Sequence, residues 1–151
     1  LGPGDVDARY ELGVVLLRAG RAEESATHLR KAIAAAPEHA DAHLHLGTAL
    51  AQLGKLEPAL ESFREAARLR PDSPPALLGA GRACAKLGKH ADAAVAFKQL
   101  AKLRPDDAVV HMELGATYEA LGRATDAVES YRAAGAADPK SAAARVRSEG
   151  P

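Results

Sequence analysis

The 151-residue chain has no tryptophan, a single cysteine (Cys84) and five aromatic side chains, three Tyr and two Phe. A lone cysteine excludes an internal disulfide framework and any cysteine-built zinc cage. So few aromatics leave no platform on which bases could stack. Charge of one sign is also missing: 20 basic residues balance 20 acidic ones. A nucleic-acid grip needs a basic surface to displace counterions, so no nucleic-acid partner is expected. No apolar run approaches the ~20 residues that would cross a bilayer, which argues against direct membrane insertion. The opening Leu1-Gly2-Pro3-Gly4 lacks the charged start and apolar stretch of a secretory signal. Residues 1–5 read as a linker or cloning scar, and Ser148-Glu149-Gly150-Pro151 is equally linker-like. The chain is therefore expected to be a fragment of a longer protein. The Ala- and Arg-rich composition suggests a bacterial source. A cytoplasmic location is favoured, and a signal or anchor outside this sequence would make it periplasmic.

What the sequence has is a period. Pro37, Pro71, Pro105 and Pro139 stand 34 residues apart. Gly13, Gly47, Gly81 and Gly115 keep the same spacing, as do Gly20, Gly54, Gly88 and Gly122. A basic column runs through Arg21, Lys55, Lys89 and Arg123. A bulky one runs through Leu29, Phe63, Phe97 and Tyr131, and a small one through Ser25, Ala59, Ala93 and Ala127. A fixed period of this length marks a solenoid, whose units stack because none can bury its apolar face alone.

Within each copy the pattern is helical. Ala42, Leu46, Ala49, Leu50 and Leu53 recur every three or four residues, one face of a helix. Gly54 then ends it, since glycine adopts the left-handed conformation at low cost. A second apolar stripe follows through Leu56, Leu60, Phe63, Ala67 and Leu69, and Pro71 closes it. Ser73, Asp107 and Ser141 stand where N-caps are needed. The expected pairs are 6–19 with 22–36, 40–53 with 56–70, 74–87 with 90–104, and 108–121 with 124–137. No segment alternates as a strand would. The small columns place Gly47 and Ala59 where paired helices cross, with Phe63 filling the gap toward the next repeat.

These residues carry a resemblance. Leu46-Gly47, Leu50, Gly54, Ala59, Phe63, Ala66 and Pro71 are similar, position by position, to the tetratricopeptide repeat. Leu114-Gly115, Tyr118, Gly122, Ala127, Tyr131, Ala134 and Pro139 match again. The first copy keeps Leu12-Gly13, Gly20, Leu29, Ala32 and Pro37, with Ser25 for the usual Ala. The third departs most, with Ala80 for Leu and Leu100 for a small residue. The resemblance covers residues 6–139, divided as 6–39, 40–73, 74–107 and 108–141. It implies an all-α solenoid, a right-handed superhelix of antiparallel helix pairs. It also implies a concave groove, lined by the first helix of each pair, that binds a peptide or protein.

No catalytic constellation accompanies the repeats, so the chain is not expected to be an enzyme, and no cofactor or metal is expected. His28, His39, His43, His45, His90 and His111 invite a metal reading, but their spacing is better explained by packing or solvation. Cys84 falls in a column with Leu16, Leu50 and Tyr118 and reads as a small core residue. A nucleophile would need a base and an orienting third group, and no such set is visible. Acidic pairs such as Glu23-Glu24 and Asp106-Asp107 sit at helix starts, where they complement the helix dipole. The glycines follow the repeat and form no phosphate loop.

By the resemblance, the concave face carries Tyr10, Val14 and Leu17 from the first copy and Leu44 and Thr48 from the second. The third copy adds Leu78, Arg82 and Lys86, and the fourth Met112 and Glu119. Family members that hold acidic chaperone C-termini use a clamp of Lys, Asn, Asn, Lys and Arg. Here the clamp positions hold Tyr10, Val14, His45, Pro75 and Gly79 in one register. They hold Leu44, Thr48, Gly79, Val109 and Glu113 in the other, so neither supplies the donors a carboxylate terminus needs. The expected function is a non-catalytic interaction scaffold. The alternative is a substrate-recruiting or regulatory segment of a larger enzyme or of an envelope or secretion assembly. After Pro139, residues 140–151 read as a partial capping helix and linker, and weak self-association through helix 124–137 is expected if that cap is incomplete. Gly79 and Gly81 lie inside helix 74–87, each costing roughly 1 kcal/mol relative to Ala. This helix should therefore exchange its amide protons fastest among the interior helices, which hydrogen–deuterium exchange will show. Uniform protection over residues 40–121 would contradict it.

Overall fold

A computed structural model describes residues 3–140. Among them every regular element is an α-helix: α1 (Pro3–Arg18), α2 (Ala22–Ala35), α3 (Ala40–Gln52), α4 (Leu56–Leu69), α5 (Pro74–Lys86), α6 (His90–Leu103), α7 (Ala108–Ala120) and α8 (Ala124–Ala137). The expected partial cap over 140–151 and the Ser141 cap fall beyond Lys140, outside the described residues. One boundary differs from expectation. Residues 3–5 form the first turn of α1 instead of a linker. Proline is well placed there: its fixed φ suits the first helical turn, where its missing N–H is not needed. Asp5, also in that turn, complements the positive end of the helix dipole.

Each first helix ends in the same turn. Gly20, Gly54, Gly88 and Gly122 take φ of +77°, +73°, +76° and +70°. Around Gly54, the glycine N–H donates to the Ala51 carbonyl at 3.0 Å and the Lys55 N–H to the Leu50 carbonyl at 2.9 Å. This six-to-one closure satisfies two carbonyls that a helix end would otherwise leave open. The same two bonds recur at Gly20, Gly88 and Gly122. Each second helix ends at a residue pushed toward the extended region by the proline that follows, as Arg70 is (φ −140°, ψ 86°) before Pro71. The next helix starts three residues after that proline. Asp107 caps α7 by accepting the Val109 N–H at 2.9 Å, and Ser73 accepts the Ala76 N–H at 3.4 Å, as their residue types suggest.

The chain divides into two compact units, Leu1–Ala83 and Cys84–Pro151, with the division inside α5. In the first, α1 packs on α2, α2 on α3, and α3 on α4. In the second, α6 packs on α7 and α7 on α8. The helices approach through bare glycines. A Cβ placed on Gly47 of α3 would stand 2.8 Å from Phe63 Cδ1 of α4. One placed on Gly79 of α5 would stand 2.5 Å from Cε1 of the same ring. Phe63 thus fills the gap toward the following repeat, as expected. Gly13 of α1 likewise takes the Leu29 side chain, with Cγ 2.7 Å from such a Cβ, and Gly115 of α7 takes the Tyr131 ring. Ala59 and Ala93 are fully buried. Ser25, in the same small column, is buried as well and donates its hydroxyl to the Gly13 carbonyl at 2.6 Å. Cys84 is buried and in no disulfide.

Two kinds of glycine therefore call for two kinds of substitution effect. Gly47→Ala forces the Phe63 ring aside and should lower the unfolding free energy by about 1–3 kcal/mol. Gly54→Ala meets no atom within 4 Å, so its cost is the left-handed backbone alone, about 1 kcal/mol. Urea denaturation of both, each with and without Phe63→Leu, separates them. The smaller residue at 63 should recover part of the Gly47→Ala loss and none of the Gly54→Ala loss.

Candidate functional site

The residues expected on the binding face do not share one environment. Tyr10, Leu44, Leu78 and Met112, one from each first helix at the 34-residue spacing, are all half-buried. Each presents part of an apolar side chain while rooting the rest. Arg82, Lys86 and Glu119 are exposed, and Thr48 is half-buried. Val14 and Leu17 are buried core residues and offer no surface, which corrects their expected place on the binding face. The reason lies in the register of α1. Val6, Gly13, Val14, Leu16 and Leu17 are its buried positions, so the side turned to the core includes two columns that later repeats leave more open.

In the first unit Tyr10 is held by two imidazoles of the next repeat. Its ring lies 4.6 Å from that of His39 and 5.6 Å, edge-on, from that of His45. His45 donates from Nδ1 to the Asp41 carbonyl at 2.8 Å, and the Tyr10 hydroxyl lies 3.3 Å from the same nitrogen. His39 accepts the Ala42 N–H on its own Nδ1 at 3.1 Å and so serves as the N-cap of α3. Its neutral, Nε2-protonated tautomer is the one that can do so. Arg70 at the end of α4 donates to Asp41 Oδ1 at 2.9 Å, bringing the two ends of the hairpin together. Thr48 spends its hydroxyl on the Leu44 carbonyl at 3.1 Å, which leaves its methyl for the surface.

Three of the other four histidines also have structural partners, whereas the buried Nδ1 of His90 has no hydrogen-bond partner among the described residues. His43 Nε2 donates to the Pro37 carbonyl at 2.8 Å, and His111 Nε2 to the Pro105 carbonyl at 2.6 Å, the same bond in two repeats. Arg9 of α1 reaches His28 Nδ1 of α2 at 3.4 Å. Among the described residues no three His, Cys, Asp or Glu side chains gather as a metal site would require. Sequence reasoning passed over His39 as a cap because histidine is an uncommon one. The signal was the column itself: Asp5, His39, Ser73 and Asp107 occupy one position of the repeat.

Burial, and secondarily the negative charges of Asp41 and Glu11, raises the Tyr10 phenol above its ordinary value, while Arg18 and Arg70 oppose this. The folded state thus prefers the neutral phenol. The stability it contributes is complete below the ordinary tyrosine value of about 10 and is lost as pH climbs through the raised value. An absorbance titration of the wild type minus that of Tyr10→Phe should isolate one phenol ionising above the ordinary value. A difference curve centred at or below it would contradict the clasp.

The family model described as tetratricopeptide repeat matches residues 1–37, 10–74 and 78–142. No curated protein matches the chain. Among solved structures, MamA (residue 41 to the end) from Desulfovibrio magneticus RS-1 superposes with a TM-score of 0.89 at 22% identity, over 97% of this chain and 82% of that one. MamA of MSR-1 gives 0.82 at 27% identity, over 91% and 79%. MamA of AMB-1 gives 0.84 at 26% identity, over 91% and 75%. The repeated glycine turns, the glycine-seated bulky residues and these matches together place the chain in the tetratricopeptide repeat family, with its all-α solenoid fold.

Proposed function

We propose that this chain is a non-catalytic docking module that holds a peptide or protein segment against the first-helix face of its repeats. A general protein-interaction role follows from the family and the fold. The finer reading rests on one observation: every first helix carries a half-exposed apolar side chain at the same repeat position, Tyr10, Leu44, Leu78 and Met112. An apolar group kept partly in water at every repeat has an affinity for apolar partners that a fully polar face would lack. Exposed Arg82, Lys86 and Glu119 flank that column and supply charge for orientation. The flanking positions differ from copy to copy, so a bound segment would be read in one direction.

A displayed peptide library selected against the wild-type chain, followed by calorimetry on the selected peptides, tests this. Leu44→Glu and Leu78→Glu should each weaken binding roughly tenfold or more, the scale of losing one buried apolar anchor. Both positions are half-exposed, so thermal stability should change little. Selected peptides whose affinity is indifferent to both substitutions would remove the first-helix face as the site.

A further inference from the structure

Two distances in the first unit fix the place of one hydrogen. His45 Nδ1 of α3 stands 2.8 Å from the Asp41 carbonyl oxygen. A carbonyl oxygen can only accept, so the hydrogen of that contact sits on Nδ1. This holds for a neutral ring protonated at Nδ1 and for a doubly protonated one. A ring nitrogen that carries a hydrogen has no lone pair left for a second donor. The Tyr10 hydroxyl of α1, 3.3 Å from the same nitrogen, therefore meets it as an acceptor. The phenol's own hydrogen is left for another partner.

Among the described residues that hydrogen has no acceptor, because the His45 contact is the one hydrogen bond the hydroxyl makes. The ring is meanwhile held in place, 4.6 Å from that of His39 and 5.6 Å from that of His45. Of the three tyrosines, Tyr118 and Tyr131 are buried and Tyr10 is half-exposed. The other members of its column, Leu44, Leu78 and Met112, have no donor to offer.

We propose that the Tyr10 hydroxyl donates a hydrogen bond to a neutral carbonyl oxygen of the bound segment, which rests on the first-helix face being the docking face. The surroundings select a neutral acceptor. Burial and the negative charges of Asp41 and Glu11 disfavour the phenolate, against Arg18 and Arg70, and they disfavour a carboxylate beside it for the same reason. Arg70 already donates to Asp41 Oδ1 at 2.9 Å. A main-chain carbonyl or the side-chain amide of Asn or Gln meets these conditions. It takes over the bond that solvent otherwise accepts. One oriented donor in an otherwise apolar column fixes the register of the segment, because covering that donor without an acceptor is costly.

Two measurements on the full chain test this. The first needs no partner. Proton–nitrogen correlation of the histidine rings, at a pH where they are neutral, should show the His45 hydrogen on Nδ1. A hydrogen on Nε2 instead would make Nδ1 the acceptor of the phenol and overturn the proposal. The second is calorimetry on wild type and Tyr10→Phe with the display-selected peptides, resynthesised with a thioamide in place of each amide in turn. Sulfur accepts hydrogen bonds more weakly than oxygen. Tyr10→Phe should weaken binding roughly three- to tenfold. One thioamide should weaken wild-type binding and leave that of Tyr10→Phe unchanged, the coupling of a double-mutant cycle. Where the acceptor is a side-chain amide, replacing one Asn or Gln of the peptide by Leu shows this coupling and no thioamide does. Tyr10→Phe that binds every peptide as the wild type does overturns the proposal. So does a loss on Tyr10→Phe coupled to no acceptor, which would leave the hydroxyl a structural partner of His45, and so does coupling to an Asp or Glu of the peptide. If Leu44→Glu and Leu78→Glu still weaken the same peptides, the docking face stands and the donor alone fails; indifference to these two substitutions as well removes the face.

Discussion

A backbone without a side chain, pressed against a large one, is the constraint on which this architecture depends. Phe63 touches Gly47 behind it and Gly79 ahead of it, and neither position can gain a methyl group without displacing the ring. One aromatic thereby sets the spacing within a hairpin and the spacing to the next repeat. Leu29 on Gly13 and Tyr131 on Gly115 use the same seat with other side chains. Packed interiors transmit such constraints because they have crystal-like density and little room for compensation. The glycines cost helix propensity, roughly 1 kcal/mol each relative to Ala. The contact area they open offsets that cost, which explains glycine in the middle of helices that would otherwise exclude it.

The turns answer a different requirement. Gly20, Gly54, Gly88 and Gly122 have open space around the missing Cβ and positive φ. They are needed for backbone conformation alone. Two glycine columns of the same period thus have separate physical causes, and the sequence already separates them: Gly54 follows the apolar stripe of its helix and Gly47 lies within it. Periodicity exposed the hairpins, their turns and their buried columns, because every repeat faces the same local problem and solves it with the same residue types.

What escaped were the positions where one repeat differs from the rest. Val14 and Leu17 stand in columns that later repeats fill with half-buried or exposed residues such as Thr48, Arg82 and Glu119, yet α1 turns both inward. A column comparison cannot see the change, since it assumes that equal position means equal environment. His39 escaped for the reverse reason. Its column was a cap column, but its residue type pointed away from that role. The Tyr10 clasp could not be read at all: it depends on which imidazole nitrogen accepts the Ala42 N–H and which donates to the Asp41 carbonyl. Residue types carry no such information.

The clasp also bears on the surface around it. Tyr10 is the bulkiest member of the half-exposed column, and it spends its ring on His39 and its hydroxyl on His45. A side chain so engaged loses little entropy when a partner covers its remaining face, because its rotamer is already chosen. Leu44, Leu78 and Met112 are apolar chains with no hydrogen-bonding group to tie them down, and Met is the most adaptable of the three. The column therefore pairs a pre-ordered aromatic in one repeat with compliant aliphatic contacts in the others. A changed glycine at one of the seats displaces the side chain packed on it, whereas a change at this half-exposed column leaves the helices where they are.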